Sequence, residues 1–181
     1  MSRLGAVIAG GRSSRFGSDK AEALWNGKPL IDHAIAALAP FVDEIVLCGR
    51  AHGKSTVLAD RPAPNMGPLG GLCAALSYAG TRGHGFVLTV GCDTPLLPAA
   101  LFDALIAVGG PAYVAQLPLI GCWPAELAAG LDAFLARDVK HAIRAWAAAE
   151  GARAIDWPGL ANVNAPADLA ALREAAGSGL A

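Results

Sequence analysis

The chain has 181 residues, of which 54% are apolar and 16% are charged. This length and composition suit one domain with a sizeable core and exclude an intrinsically disordered chain. The net charge of −1 gives no sign of nucleic-acid binding, and no apolar run is long enough for a membrane helix. The four cysteines form no Cys-x-x-Cys pair, so we expect reduced thiols rather than a zinc or redox motif. With no room for a signal peptide before the first strand, we predict a cytoplasmic protein.

The first half of the chain predicts strands and helices in alternation. Short apolar runs predict buried strands at residues 4–8, 43–48, 56–59 and 86–90. Apolar residues at helical spacing predict helices at residues 30–38, 68–79 and 98–108. Asn26-Gly27 predicts a tight turn between two short extended pieces.

The second half of the chain is less regular. It predicts strands at residues 112–115, 119–123 and 152–156, and helices at 124–135, 139–149 and 166–176. The helix predicted at residues 124–135 would have Pro124 in its first turn. Strands that alternate with helices predict an α/β fold: a single domain over residues 1–176 with a mostly parallel, twisted sheet and helices on both faces. Residues 177–181 are predicted to form a frayed tail.

A glycine-rich, basic loop follows the first strand. Its glycines are Gly10, Gly11 and Gly17, and its cations are Arg12, Arg15 and Lys20. Glycines let backbone N–H groups approach an anion closely, and open α/β sheets bind ligands at the carboxyl ends of their strands. The loop therefore predicts a phosphate site in which Arg15 and Lys20 stabilise charge. The alternative is a surface loop with solvated cations.

This loop differs from two familiar phosphate motifs. Ser18 follows Gly17 where a Walker A loop requires lysine. Arg12 stands where the dinucleotide-binding fingerprint requires its second glycine.

Two further segments carry polar side chains at the ends of predicted strands. Asp93 follows a very apolar strand, and its carboxylate suits a hard cation such as Mg²⁺. The alternative role for Asp93 is to start a turn. Asn162 and Asn164 lie on one side of an extended segment, where their amides could orient phosphates or metal-bound waters. The alternative for them is a pair of turn-forming asparagines.

The three segments together resemble a known family. They read Ala-Gly-Gly-x-Ser-x-Arg-Phe-Gly-x-Asp-Lys at residues 9–20, Asp-Thr-Pro at 93–95 and Asn-x-Asn-Ala-Pro at 162–166. In this order they resemble the molybdenum cofactor guanylyltransferases, and the likeness runs from Leu4 to about Leu172. It implies a Rossmann-like nucleotidyltransferase fold and an enzyme that transfers GMP from GTP to the terminal phosphate of molybdopterin. Pyrophosphate would be released, and Mg²⁺ would be the cofactor.

The resemblance also implies a role for individual residues. The implied nucleotide-binding residues are Ile8, Ala9, Gly10, Gly11, Gly17, Lys20, Asp60, Gly67, Gly71 and Asp93. The implied catalytic residues are Arg15, Lys20, Asp93 and Asn164, with Asp93 as the metal ligand and Asn162 and Asn164 on the acceptor. The form Ala9-Gly10-Gly11 favours guanine over cytosine.

Two departures from the family pattern bear on the acceptor. Ala165 stands where the family usually has threonine, and we expect the lost side-chain cap to cost about 1 kcal/mol. Residues 116–118 replace a longer polar loop that usually ends in His-Pro. Two alternatives therefore stay open: a related nucleotidyltransferase that uses CTP or another phosphorylated acceptor, and a noncatalytic nucleotide-binding module.

The expected partners are small molecules and proteins of one pathway. GTP and molybdopterin would be the substrates, proteins of molybdenum cofactor delivery would be possible partners, and nucleic acid and membranes would not be partners. The chain is expected to be a monomer or a weak homo-oligomer. His33, His52, His84 and His141 share no motif, and we expect all four to be surface or structural residues.

Overall fold

The fold is that of a computed structural model, which describes residues 1–10, 20–137 and 142–178, with side chains described as far as residue 172. The strands are β1 (Arg3–Ile8), β2 (Leu24–Trp25), β3 (Lys28–Pro29), β4 (Glu44–Cys48), β5 (Thr56–Leu58), β6 (Phe86–Gly91), β7 (Ala112–Val114), β8 (Gly121–Pro124) and β9 (Arg153–Ile155). The helices are α1 (Leu30–Leu38), α2 (Pro68–Arg82), α3 (Ala99–Ala107), α4 (Ala128–Leu135), α5 (Ile143–Ala149) and α6 (Pro166–Ser178). Short 3₁₀ helices span Lys20–Glu22, Ala39–Phe41 and Ala125–Leu127.

Seven of the strands form one sheet in the order β5-β4-β1-β6-β8-β7-β9. Neighbouring strands are parallel, except that β8 runs antiparallel to both β6 and β7. The prediction of a mostly parallel sheet in an α/β fold is therefore confirmed. The strands β2 and β3 form a separate antiparallel hairpin, and its turn residues Asn26 and Gly27 have φ values of 48° and 77°. This is the tight turn predicted from the Asn-Gly pair.

The central strand β1 contributes to a core on each face of the sheet. Leu4, Ala6 and Ile8 pack with α2, α4 and α5 on one face, whereas Val7 packs with α1 and α3 on the other. This follows from the strand geometry, because successive side chains point to opposite faces. Both faces of β1 are buried, so its sequence is continuously apolar rather than alternating.

A third, smaller cluster joins the two ends of the chain. Trp25 of β2 and Leu30 of α1 pack against Val163 and Leu169, which come just before and within α6. This packing brings the segment that contains Asn162 and Asn164 next to the residues that follow Lys20.

Two predicted helix starts were wrong. Pro124 is the last residue of β8, because the sheet continues past it: Pro124 pairs with Phe86, and the Ala125 N–H donates to the Gly85 carbonyl at 3.0 Å. The helix α4 begins only after the 3₁₀ turn Ala125–Leu127. Ala142 is extended, with φ −107° and ψ 130°, so α5 begins at Ile143, and residues 139–141 of the predicted helix lie outside the described residues.

The last helix, α6, reaches Ser178, which is two residues beyond its predicted end. Within residues 1–10, 20–137 and 142–178, no helix is long and apolar enough to span a membrane.

The loops after β1 and β4 cross in close contact at two glycines. Gly49 has φ +89°, and a Cβ there would lie 2.5 Å from the Gly10 Cα and 2.7 Å from the Gly10 nitrogen. The Ala9 N–H donates to the Cys48 carbonyl at 2.9 Å just before this crossing. Gly49 therefore fixes how the glycine-rich loop leaves the sheet.

We predict that Gly49→Ala destabilises the chain by about 3 kcal/mol or more, because the left-handed backbone and the contact with Gly10 both resist a Cβ. The matched control is Gly53→Ala. Gly53 has φ +58°, but a Cβ there would meet nothing within 4 Å, so we expect a cost of only about 1–2 kcal/mol. Urea unfolding measures both variants. Equal losses in the two variants would contradict the proposed close contact.

Candidate active site

The register of four parallel strands aligns the residues that follow them. Ile8 pairs with Cys48 in β4 and with Gly91 in β6, and Cys48 pairs with Leu58 in β5. One row of residues therefore crosses the sheet from β5 to β6, over three strand spacings or about 14 Å. The residues two positions beyond this row are Gly10, Arg50, Asp60 and Asp93.

The chain order of the sheet reverses at β1. The strands β4 and β5 extend the sheet on one side of β1, whereas β6 lies on its other side. Open α/β sheets form a ligand-binding crevice at such a switch point, outside the carboxyl ends of the strands. The aligned residues border this crevice.

Three of the predicted site residues meet at one side of the crevice. The Lys20 ammonium lies 3.1 Å from Asp93 Oδ2 and 3.4 Å from Asn164 Oδ1. The Lys20 side chain is 16% exposed and the Asp93 side chain 31%. These residues come from three distant parts of the sequence, and their contact is the main feature of the site.

The backbone around Asn164 is anchored at three successive amides. The Val163 N–H donates to the Asp93 carbonyl at 2.7 Å. The N–H groups of Asn164 and Ala165 both donate to Asp168 Oδ2, at 2.6 and 2.8 Å. Asp168 lies in the first turn of α6 and accepts hydrogen bonds from the two N–H groups just before the helix. These bonds offset the side-chain cap that is lost at Ala165.

Sequence reasoning missed Asp168, although a signal was present. An acidic residue three positions after a helix N-cap is the reciprocal half of a capping box. Asp168 stands three positions after Ala165.

The other predicted nucleotide residues lie along the strand row and the start of α2. A Cβ on Gly71 would lie 3.0 Å from the Cys48 Cβ and 3.3 Å from Ile8 side-chain atoms, so α2 begins in close contact with β1 and β4. A Cβ on Gly70 would lie 3.0 Å from the Cβ and Cγ of Asp60. The absence of side chains at these glycines lets the start of α2 lie against the strand ends. Gly67, the N-cap of α2, has φ +68°.

Part of the predicted site lies outside the described residues. This part contains Gly11, Arg15 and Gly17. Their roles stay predictions.

Two buried thiols lie beside the strand ends. Burial raises the pKa of Cys48 to about 12 and that of Cys92 to about 11. Both thiols are therefore protonated at neutral pH and are poor nucleophiles. All four cysteines are free and buried.

Asp93 and Asn164 offer oxygen atoms to the same cation, which here is the Lys20 ammonium. Oxygen donors of this kind suit a hard divalent cation. No group of three or more His, Cys, Asp or Glu side chains that could hold a metal occurs within the described residues. In nucleotide sites Mg²⁺ commonly binds one or two carboxylates and takes its other ligands from substrate phosphates and water.

Comparisons with known proteins agree with this geometry. The family model of the MobA-like NTP transferase domain matches residues 5–157. A protein from Sinorhizobium fredii named molybdenum cofactor guanylyltransferase is 36% identical over 178 residues, which covers 90% of this chain and 82% of the relative. A protein of the same name from Cereibacter sphaeroides is 33% identical and covers 94% of this chain and 95% of the relative.

The chain belongs to the MobA-like NTP transferases. The prediction that it is a nucleotidyltransferase, based on its resemblance to the molybdenum cofactor guanylyltransferases, is confirmed. The structure of molybdopterin-guanine dinucleotide biosynthesis protein A from Archaeoglobus fulgidus has a TM-score of 0.74 at 19% identity. It covers 97% of this chain and 99% of its own, and shows the same fold. Nucleotidyltransferases of this kind generally depend on a divalent metal ion.

A charged cluster next to the nucleotidyltransferase site was not predicted. His52 Nε2 lies 2.8 Å from Asp32 Oδ1, and His52 Nδ1 lies 3.3 Å from Glu22 Oε1. Arg50 lies 3.5 Å from the same Glu22 oxygen. The cluster links the turn that begins at Lys20 to α1 and to the loop after β4, so His52 has a structural role of the kind expected for the histidines.

The carboxylates around His52 favour its charged form. The hydrogen bond to Asp32 is the main cause that raises the pKa of His52 above its usual 6.5, and Glu22 adds to it. A raised pKa in the folded chain means that this interaction stabilises the fold fully below pH 6.5. The stabilisation is lost as the pH rises through the raised pKa.

We predict that His52→Asn removes this pH dependence. Between pH 6 and pH 8.5, the free energy of unfolding of the wild-type chain should decline relative to that of the variant. Asp32→Asn should remove most of the same effect and Glu22→Gln less, because Asp32 is the stronger partner. Urea unfolding at a series of pH values gives the comparison. Parallel pH profiles for wild type and His52→Asn would rule out the cluster as a source of pH-dependent stability.

Proposed function

We propose that the chain transfers GMP from GTP to the terminal phosphate of molybdopterin, with its molybdenum bound, and releases pyrophosphate. The observation that carries the proposal is the meeting of Lys20, Asp93 and Asn164 at the switch point of the sheet. A site for binding alone has no need of a carboxylate and an amide that both face the phosphate-binding lysine. Relatives named molybdenum cofactor guanylyltransferase, over most of the chain's length, supply the choice of nucleotide and acceptor.

The nucleotide lies across the ends of the strands from β5 to β6. The base lies near Ile8, Ala9 and Gly10, with Asp60, Gly67 and Gly71 on its side of the crevice. The triphosphate lies near Lys20 and Asp93. The close packing of α2 on β1 and β4, which the glycines permit, supports this placement because it leaves backbone rather than side chains facing the nucleotide.

Mg²⁺ is the proposed cofactor, and Asp93 would hold it. The ion would supply positive charge beside the phosphate oxygens on which negative charge builds up during transfer. Lys20 neutralises charge on the triphosphate, and Arg15 is proposed to do the same from the loop. No general base is required, since the attacking phosphate oxygen is already ionised at neutral pH.

The transfer balances without oxidation or reduction. A bond forms between an oxygen of the acceptor's terminal phosphate and the α-phosphorus of GTP. The bond from that phosphorus to the oxygen bridging to the β-phosphate breaks, and its electron pair leaves with pyrophosphate. The protein's contribution is to align the two phosphates and to stabilise the developing charge.

The acceptor lies beside Asn162 and Asn164. The Asn162 Oδ1 is buried and has no hydrogen-bond partner among the described residues. Buried polar atoms are normally satisfied, so an N–H donor of the pterin ring is a suitable partner. Leu119 lies in the β7–β8 connection. Its side chain would be 3.3 Å from a Cβ placed on Gly91, the last residue of β6.

The polar side chain of the short β7–β8 connection is already bonded within the protein. Gln116 is hydrogen-bonded to Asp156 and accepts from the Trp157 N–H at 3.2 Å, so it is tied to the segment after β9. This connection therefore offers the acceptor fewer polar groups than the longer loop of the family pattern would. We propose weak acceptor binding unless a delivery protein or a second subunit covers this side, and we place the reaction in the cytoplasm.

We predict that the purified chain forms the guanine dinucleotide from GTP, Mg²⁺ and molybdopterin, and that CTP and ATP are poor substitutes. Asp93→Asn should lower the rate by roughly 100-fold or more, since it removes the metal-binding charge. Its fold should be retained, because the backbone carbonyl that binds Val163 is unchanged. Chromatography of the products and pyrophosphate release give the two readouts. If GTP binds and no dinucleotide forms, the acceptor assignment fails; if CTP reacts equally well, the nucleotide assignment fails.

We also predict that Lys20 competes with the metal for Asp93. Without nucleotide, Lys20→Met should bind Mn²⁺ more tightly than wild type, by up to about fivefold, because a partly exposed ion pair is worth about 1 kcal/mol or less. The same variant should bind GTP more weakly. Lys28→Met is the matched control, since exposed Lys28 lies in β3 and carries the same charge. Titration with Mn²⁺ followed by electron paramagnetic resonance measures the affinities, and equal Mn²⁺ affinities in wild type and Lys20→Met would refute the competition.

A further inference from the structure

We propose that Asp168 is a positioning residue of the transfer reaction, which holds Asn164 in place for the acceptor. The proposal rests on the proposed function for its kinetic consequences. Asp168 contacts neither Lys20 nor Asp93 by a direct hydrogen bond; it acts through the backbone of Asn164 and Ala165. No motif singled out this residue.

The first step is the geometry of the segment before α6. Three successive N–H groups, those of residues 163, 164 and 165, have acceptors. The first is the Asp93 carbonyl, and the other two share one oxygen of Asp168. The segment is thereby fixed at one end to the strand end that carries Asp93 and at the other to α6.

The second step is the consequence for the Asn164 side chain. Asn164 is itself exposed, so packing does not fix it, yet its amide oxygen lies 3.4 Å from the Lys20 ammonium. Without core contacts, the direction of this side chain depends on its backbone. Asp168 accepts from that backbone at 2.6 Å, and its carboxylate makes this a charge-assisted hydrogen bond, which is stronger than one between neutral groups.

The third step is the charge of Asp168. The N–H groups of Asn164 and Ala165 lower the pKa of Asp168 below its usual 3.8, and the nearby Lys20 charge lowers it further. The carboxylate therefore keeps its charge and both hydrogen bonds at neutral pH. The same negative charge favours the position of Lys20 near Asn164.

An ordinary capping role would stabilise α6 and do nothing more. Capping of α6 and positioning of Asn164 can be tested separately because Ala165, at the N-cap position of α6, has no polar side chain. In an Asp168→Ala background, Ala165→Ser restores a cap for the first turn of α6. It does not restore an acceptor for the Asn164 N–H.

The kinetic experiment compares wild type, Asp168→Ala, Asp168→Ala with Ala165→Ser, Asp168→Glu and the control Asp103→Ala, whose residue is exposed on α3. Asp168→Ala should lower kcat/KM for molybdopterin by roughly tenfold and leave the GTP dissociation constant within about twofold. Adding Ala165→Ser should raise the melting temperature without restoring kcat/KM, whereas Asp168→Glu should restore part of the rate. Recovery of kcat/KM along with the melting temperature in the Ser variant would overturn the proposal.

A double-mutant cycle tests whether Asp168 acts through Asn164. If it does, Asp168→Ala has no further effect on kcat/KM in an Asn164→Ala background. Independent, multiplying losses would overturn the proposal. Should Asp168→Ala fail to fold, Asp168→Leu, which is close in size and has no acceptor, replaces it in both the cycle and the kinetic series.

Amide hydrogen exchange tests the positioning without any acceptor. In Asp168→Ala, the amides of Asn164 and Ala165 should exchange faster by tenfold or more, whereas the Val163 amide, bonded to the Asp93 carbonyl, should change much less. Equal acceleration at all three amides would show general fraying of α6 and overturn the proposal. If wild type makes no dinucleotide but the exchange pattern holds, the proposed function fails while the positioning stands.

Discussion

The register of the four parallel strands β5, β4, β1 and β6 is the constraint on which the site depends. Because Ile8, Cys48, Leu58 and Gly91 stand in one row, every loop that follows them starts at the same height above the sheet. A shift of one residue in any pair would turn the side chains of that strand to the opposite face, where they would not fit the close packing of the helices on that side. Burial on both faces of β1 therefore fixes the register, and the register places Asp93 and Asp60 at the border of one crevice. In this way the packing of the core determines the geometry of the site.

The side of the crevice away from β1 does not depend on strand pairing. It is formed by residues 162–165, a segment without regular structure that main-chain hydrogen bonds hold in place. Residues 162–165 reach the site because Val163 is buried against Trp25 and Leu30. They keep their conformation because their N–H groups find acceptors in Asp93 and Asp168. An irregular segment held in this way can present amide side chains to a ligand while its backbone stays satisfied. The proposed nucleotide side of the site thus depends on strand pairing, and the proposed acceptor side depends on hydrogen bonds from the main chain to Asp93 and Asp168.

Sequence patterns predicted the features that local chemistry determines. The apolar runs of β1 and β6 predicted the central strands, and the polar residues after them predicted that Lys20 and Asp93 lie at one edge of the sheet. The family resemblance added Asn164 to this site. The failures are at residues whose state is decided by a distant partner. Pro124 stays extended because Ala125 bonds to Gly85 across the sheet, which no local signal at the proline reveals. The link from His52 to Asp32 depends likewise on the fold bringing the loop after β4 to α1.

Under the proposed function, the contact between Lys20 and Asp93 makes the binding of metal and nucleotide interdependent. Without ligands, the ammonium satisfies the carboxylate, and the pair is nearly neutral. If Lys20 binds the triphosphate and Asp93 the metal, as proposed, a triphosphate would draw Lys20 away from Asp93 and leave the carboxylate to a cation. A cation at Asp93 would in turn free Lys20 for phosphate. Linkage requires the two effects to be equal, so the factor by which the metal tightens nucleotide binding is the factor by which the nucleotide tightens metal binding. Asn164 faces the same ammonium, and the proposed role of Asp168 is to hold Asn164 in that position when Lys20 leaves Asp93.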